Sequence, residues 1–140
     1  MKFLKIVSQD DLQILSEFID SLKEEKDTFK YFEKRKIEIV YSHELTYLMI
    51  GRDNEILAYG HIENENNIYW LGILVPIKHQ SKGNGLLMMN KLIEESKKLK
   101  IPKITLSVYK ANEKAVNLYN KMGFSVVKED KSNLFFEKII

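Results

Sequence analysis

The chain has 140 residues, 44% hydrophobic and 30% charged, the size and balance of one globular domain with a core of its own. Its 22 basic and 20 acidic residues leave a net charge of +2 and are interspersed, so charge gives no argument for nucleic acid or a membrane surface. The absence of cysteine excludes a disulfide framework, a thiolate metal site and a cysteine nucleophile.

The opening Met-Lys-Phe-Leu-Lys is broken by charge too early for a signal-peptide core. No apolar run approaches the roughly 20 residues of a membrane helix. A cytoplasmic protein is expected, and the weight of Lys, Ile, Asn and Glu points to a bacterial source. Phe3 to Val7 reads as a strand. Ser8 with Asp11 makes a capping-box start to a helix carrying Leu12, Leu15, Phe18, Ile19 and Leu22 at helical spacing. The charged stretch Lys23 to Asp27 ends it on the surface. Thr28 can cap a second, short helix over Phe29 to Lys36, while Ile37 to Glu44 is ambiguous. Leu45 to Gly51 and Ile56 to Ile62 are strands joined by the polar hairpin Arg52-Asp53-Asn54-Glu55. Glu63 to Asn67 reads as a second polar turn before the strand Ile68 to Val75. Gly72 inside that strand signals a bulge or a close backbone approach, and Pro76 stops it.

A helix over Leu86 to Leu99 follows, with Met89, Leu92, Ile93, Ser96 and Leu99 on its apolar face, and Pro102 breaks it. Lys103 to Tyr109 alternates as a strand. Asn112 caps a helix through Met122 that Gly123 ends. Phe124 to Lys128 and Leu134 to Ile140 are closing strands. The order is β-α-α-β-β-β-α-β-α-β-β. A helix between two strands is the crossover of a parallel pair, whereas hairpins imply antiparallel pairing. The fold class expected is α/β, one domain over residues 1–140, with a central mixed, mostly antiparallel sheet and helices on both faces.

The most informative stretch is Gln80-Ser81-Lys82-Gly83-Asn84-Gly85, between a strand and a helix. Glycines at such a turn let backbone approach a ligand closely, and the new helix aims free N–H groups and its positive dipole end at it. That is a phosphate or pyrophosphate site. No Lys-Ser/Thr follows the second glycine, and Met88 stands where a dinucleotide fingerprint needs its third glycine. The six residues resemble the Gln/Arg-x-x-Gly-x-Gly/Ala signature of the GNAT N-acetyltransferases. A second match lies one strand later. Asn112-Glu113-Lys114-Ala115-Val116-Asn117-Leu118-Tyr119-Asn120-Lys121-Met122-Gly123-Phe124 is similar to that family's Asn-x-x-Ala-x-x-Leu-Tyr-x-x-x-Gly-Phe segment.

The resemblance implies transfer of acetyl from acetyl-coenzyme A (acetyl-CoA) to an amine. It implies that Gln80, Ser81, Lys82, Gly83, Asn84 and Gly85 hold the pyrophosphate. Ile73, Leu74 and Val75 would offer backbone to the pantetheine and the carbonyl. Asn112 would contact the cofactor, and Tyr119 would point its hydroxyl at the thioester sulfur. A tyrosine hydroxyl, of ordinary pKa about 10, suits protonation of a leaving thiolate. Read without the resemblance, Leu118, Tyr119, Met122 and Phe124 serve equally as core.

The family's acceptor wall falls on Phe29, Tyr31, Phe32, Arg35 and Lys36, though these aromatic side chains also suit a core. With Tyr59 to Glu63 and Tyr69 to Gly72, including Trp70, they fit a small polar amine, an amino sugar or nucleotide-linked amino sugar. A protein N-terminus is the second acceptor class, and a non-catalytic acyl-CoA binding module is the alternative of a different kind. Alternation puts Tyr59 and His61 on one face of their strand, and His61 is expected at its end, beside a turn that opens towards a cleft. Its ordinary pKa near 6.5 suits a base for the acceptor amine, with Glu63 to orient it or take the proton instead. His43, His61 and His79 form no ligand-spaced cluster, so no metal is expected. His79, Lys78 and Lys82 are surface charges or phosphate helpers. The partner expected is a small-molecule amine, with the protein a monomer or homodimer.

Overall fold

The first helix starts where its capping residues place it. In the computed structural model, which describes residues 1–140, Ser8 Oγ accepts from the Asp11 amide at 3.1 Å and Asp11 accepts from the Ser8 amide at 3.0 Å. Helix α1 accordingly runs Gln9–Ser21. The strands are β1 (Lys2–Lys5), β2 (Leu45–Ile50), β3 (Ile56–Glu65), β4 (Ile68–Leu74), β5 (Lys103–Tyr109), β6 (Ser125–Glu129) and β7 (Asn133–Ile139). They form one seven-stranded sheet in the order β1-β2-β3-β4-β5-β7-β6. Every neighbouring pair is antiparallel except β4 and β5, the pair joined by the crossover helix α2 (Asn84–Lys98). Helix α3 (Glu113–Lys121) precedes β6. This is the mixed, mostly antiparallel α/β sheet that the element order predicts.

The sheet separates two cores. On one face Leu15, Phe18 and Leu22 pack with Val40, Leu48, Tyr59 and Leu74. On the other Met88, Met89, Leu92 and Ile93 of α2 join Ile62, Leu106, Tyr119 and Phe136. Leu99, expected on the buried face of α2, is half exposed. The helix ends at Lys98, Lys100 takes a left-handed φ of 59°, and Ile101 turns inward instead, its amide donating to Ser96 O.

Three other local readings change. No second α-helix forms over Phe29 to Lys36. Two 3₁₀ segments, Glu24–Asp27 and Ile37–Ser42, flank a run of turns and bends there. Aromatic residues are indifferent helix formers, and here tertiary contacts claim them. Phe29 and Phe32 pack on the Tyr59 ring at 5.6 and 5.7 Å, and Tyr31 reaches His61 at 4.4 Å. The turn expected from Glu63 shrinks to Asn66 and Asn67, both at positive φ, which suits a two-residue hairpin and lengthens β3 to Glu65. Gly72 makes no bulge, because β3 and β4 stay in register from Tyr59/Leu74 to Glu65/Ile68. It allows a close approach instead.

Gly60 has no room for a side chain: a Cβ there would lie 2.7 Å from Met88 Cγ and 2.9 Å from Leu92 Cδ1. Both neighbours are fully buried. Gly60→Ala is expected to destabilise the fold by roughly 1–3 kcal/mol through overpacking. Urea unfolding measures this, and an unchanged midpoint would contradict the packing of α2 on β3.

Candidate active site

Parallel strands usually pair along their length. Here β4 and β5 pair only at Trp70 opposite Thr105, although β4 continues to Leu74 and β5 to Tyr109. Each is tied on its other side, β4 to β3 and β5 to β7, by seven consecutive pairs. Past Trp70 the two therefore diverge without a ladder. Backbone that would otherwise be paired borders a cleft of about 960 Å³, lined by Ile73, Leu74 and Val75 from one strand and Ser107, Val108 and Tyr109 from the other. Pro76, with no N–H to donate, ends the first wall.

One end of the cleft is the glycine loop. Gly83, at φ 85°, is the N-cap of α2 and supplies no side-chain cap, so the first amides of the helix lack intrahelical partners. Ser81 is also left-handed, at φ 61°. Two side chains brace the turn. Gln80 Nε2 donates to Val75 O at 3.0 Å, and Asn84 Nδ2 donates to His79 O at 2.9 Å. Gln80, Ser81, Gly83, Asn84 and Gly85 all line the cleft, whereas Lys82 and His79 do not. A Cβ on Gly85 would sit 3.2 Å from Leu118 Cδ2, so this glycine lets α2 and α3 approach. Free amides, a positive helix end and a floor without side chains fit a pyrophosphate.

Helix α3 brings the second motif to the same cleft. Asn112 Oδ1 caps it, accepting from the Ala115 amide at 3.3 Å, and Gly123 at φ 85° ends it. Asn112 and Tyr119 both line the cleft. The Tyr119 ring packs between Phe124 and Phe136, with centroids at 5.9 and 5.8 Å, and the residue is only 6% exposed. Burial pushes its hydroxyl up to about 12, so it stays protonated across any working pH.

Beyond Gly72 the cleft ends in a polar cluster. His61 lies in mid-strand rather than at a strand end, paired with Thr46 on one side and Gly72 on the other. Its ring fills the space that glycine leaves, since a Cβ on Gly72 would lie 2.6 Å from His61 Cε1. His61 Nδ1 is 2.6 Å from Tyr59 Oη. His43 packs beside it with ring centroids at 4.5 Å. The His43 Nδ1 is 2.9 Å from Thr46 Oγ1, and its Nε2 lies 2.6 Å from Tyr31 Oη and 3.9 Å from Glu63 Oε2.

Burial, reinforced by the nearby His43 and Arg35, holds His61 well below the usual imidazole range. Burial and the Arg35 charge lower His43 to about 4. Burial and the Glu63 carboxylate push the Tyr31 hydroxyl above the ordinary tyrosine range. At neutral pH the site thus holds two neutral imidazoles, His43 and His61, and two protonated phenols, Tyr31 and Tyr59. That corrects the expectation of a histidine titrating near 6.5.

Phe29, Tyr31, Arg35, His61, Glu63 and Trp70 line this end, and Arg35 stacks over Tyr31 at 4.3 Å. Phe32 packs behind the wall, on Tyr59, rather than on the cleft. Sequence reasoning missed the β5 wall, Ser107 to Tyr109, which the crossover could have pointed to as the parallel neighbour. It also missed the joining of His43 to His61 and Glu63, whose ligand atoms lie within 4.8 Å of one another. Their sequence spacing hides it, because a loop and the pairing of β2 with β3 bring them together.

The family described as Acetyltransferase (GNAT) matches residues 12–124. No curated protein matches the sequence. Among solved structures, an acetyltransferase of the GNAT family from Streptococcus pneumoniae superposes with a TM-score of 0.79 at 21% identity, covering 99% of this chain and 100% of that one. The spermidine N-acetyltransferase from Vibrio cholerae, in complex with CoA and spermine, gives 0.78 at 17% identity over 99% and 94%. A ribosomal-protein-alanine N-acetyltransferase from Brucella melitensis gives 0.78 at 15% identity over 100% of both chains. At these identities the likeness is one of fold. No helix is long and apolar enough to cross a membrane. The match over residues 12–124, together with the parted strands, the glycine loop and the buried tyrosine, makes this chain a member of the GNAT acetyltransferase family.

Proposed function

We propose that the protein moves the acetyl group of acetyl-CoA to a primary amine of a small polar acceptor by direct attack. The observation that carries this is the gap between β4 and β5, with the glycine loop at one end and Tyr119 on its wall. The cofactor would supply the activated acyl carbon. Amides of Gly72 to Val75 would hold its carbonyl and amide chain, and the first turn of α2 its pyrophosphate.

Tyr119 gives its proton to the departing sulfur. The same apolar surroundings that raise its pKa also disfavour a bare thiolate, so the transfer keeps its driving force. Glu63, at 15% side-chain exposure and on the cleft wall, takes the proton that the attacking nitrogen loses. His61 and His43, both neutral, shape the pocket behind it and pass hydrogen bonds through Tyr59 and Tyr31. Phe29, Tyr31 and Trp70 supply flat apolar walls, with Glu63, Glu65 and Arg35 at the rim for a polar acceptor. An amino sugar has that mix of faces and hydroxyls. A panel of amines scored by thiol release tests the assignment, and release without any amine dependence would contradict it.

Three outcomes are expected. Gly83→Ala puts a side chain at φ 85°, so the free loop relaxes away from that conformation, and acetyl-CoA affinity should fall by roughly 5- to 30-fold by calorimetry, the left-handed penalty being about 1–2 kcal/mol. Equal affinity would remove the loop from the cofactor site. Tyr119→Phe should keep acetyl-CoA affinity and lose about 100-fold in turnover, the usual scale of general acid catalysis. Turnover within a factor of about two of wild type, with chemistry limiting, would refute the acid. The pH profile separates the bases. With His43 titrating near 4 and His61 also depressed, both imidazoles are already neutral above about pH 6. The rate should therefore show no limb near 6.5, and His61→Gln should lower it without removing one. A limb near 6.5 that vanishes in His61→Gln would make His61 the base.

A further inference from the structure

The His43, His61 and Glu63 cluster has the donor set and the outer support of a metal centre. We propose that it binds one first-row divalent cation such as Zn²⁺, and that the bound metal closes the acceptor end of the cleft. One ligand atom from each of the three residues lies within 4.8 Å of the other two. Two imidazoles and a carboxylate, with no thiolate, suit Zn²⁺ or its first-row neighbours over softer Cu(I) and over all-oxygen Mg²⁺ or Ca²⁺.

The outer contacts point the same way. Metal-bound histidines have their second nitrogen fixed by a polar partner. Here Thr46 Oγ1 meets His43 Nδ1 at 2.9 Å and Tyr59 Oη meets His61 Nδ1 at 2.6 Å. The other nitrogen of His43, Nε2, faces Glu63 Oε2 at 3.9 Å. Metal–ligand bonds of about 2.0–2.2 Å at tetrahedral angles put ligand atoms about 3.3 Å apart. From 3.9 Å between His43 and Glu63, and at most 4.8 Å within the cluster, the ligand atoms must therefore draw in by roughly 0.6–1.5 Å. Glu63, which lines the cleft at 15% side-chain exposure, is the ligand placed to supply most of that movement. Tyr31 Oη, 2.6 Å from His43 Nε2, holds the place that the metal would take and must swing aside. Tyr31, His61 and Glu63 line the cleft, which gives the ion its way in.

The consequence for catalysis rests on the acceptor reading above. A cation on Glu63 removes the proposed proton acceptor, so Zn²⁺ should inhibit competitively with the amine and not with acetyl-CoA. Binding itself is read without turnover. Zn²⁺ is titrated by calorimetry into the full-length, chelator-treated protein. We expect one Zn²⁺ per chain, affinity at least about 100-fold weaker in both Glu63→Gln and His43→Ala, and tighter binding in Tyr31→Phe, which lacks the competing hydroxyl. Thermal unfolding checks that each variant is folded. Glu63→Gln, a near-isosteric change on the cleft wall, carries the test if His43→Ala does not fold. No one-to-one binding by wild type, or wild-type affinity in folded Glu63→Gln, would overturn the proposal. Zn²⁺ binding by a protein that acetylates no amine would leave it standing and dismiss only the acceptor reading.

Discussion

The whole site depends on a ladder that stops. β4 and β5 are each held by an antiparallel neighbour on the far side, and they share a single pair, Trp70 with Thr105. Past that pair the sheet opens, and the unpaired edges of two strands face the same cleft. Edge backbone of this kind is a hazard when bare and a recognition surface when a linear ligand lies along it. The crossover helix starts at the mouth of the opening, so its free amides and the strand edge border one continuous cleft. Tyr119 reaches the same opening from α3, which follows the other parted strand.

A second constraint lies across the β3–β4 pair. Gly72 and His61 face each other, and the absent Cβ of one makes room for the ring of the other. The imidazole is thereby buried beside β4, with the Tyr59 hydroxyl on its Nδ1 and the His43 ring alongside. Desolvation, reinforced by the nearby His43 and Arg35, then keeps it neutral. The same packing fixes the aromatic segment 29–36. Its rings lie over Tyr59 and His61, and the backbone gives up helix to let them do so.

Much of this was legible in the sequence. The capping box at Ser8, the crossover after Gly83 and the Asn112-to-Gly123 helix are local signals, and local chemistry decides them. The glycine loop and Tyr119 were read from residues adjacent in the chain. What the sequence hid is non-local. The fate of Phe29 to Lys36 turns on Tyr59, about thirty residues on. The meeting of His43 with His61 needs the register of β2 on β3, and the neutrality of both needs their burial. In the sequence Gly72 reads as a bulge or a close approach, and only the His61 ring opposite it decides for the close approach. Leu99 was read as core because the period continues one residue past the helix.

The central claim is that the parted edge of β4 is the cofactor's binding surface. Amide hydrogen exchange, with and without acetyl-CoA, tests it most directly. Amides of Gly72 to Val75 that face the gap exchange through local opening in the free protein and should slow on binding, together with the first-turn amides Asn84 to Leu86. The β3 amides that pair with β4 should change little. Slowing at the start of α2 with none along Gly72 to Val75 would contradict the account, because the ligand would then be held at its phosphates with its acyl end elsewhere.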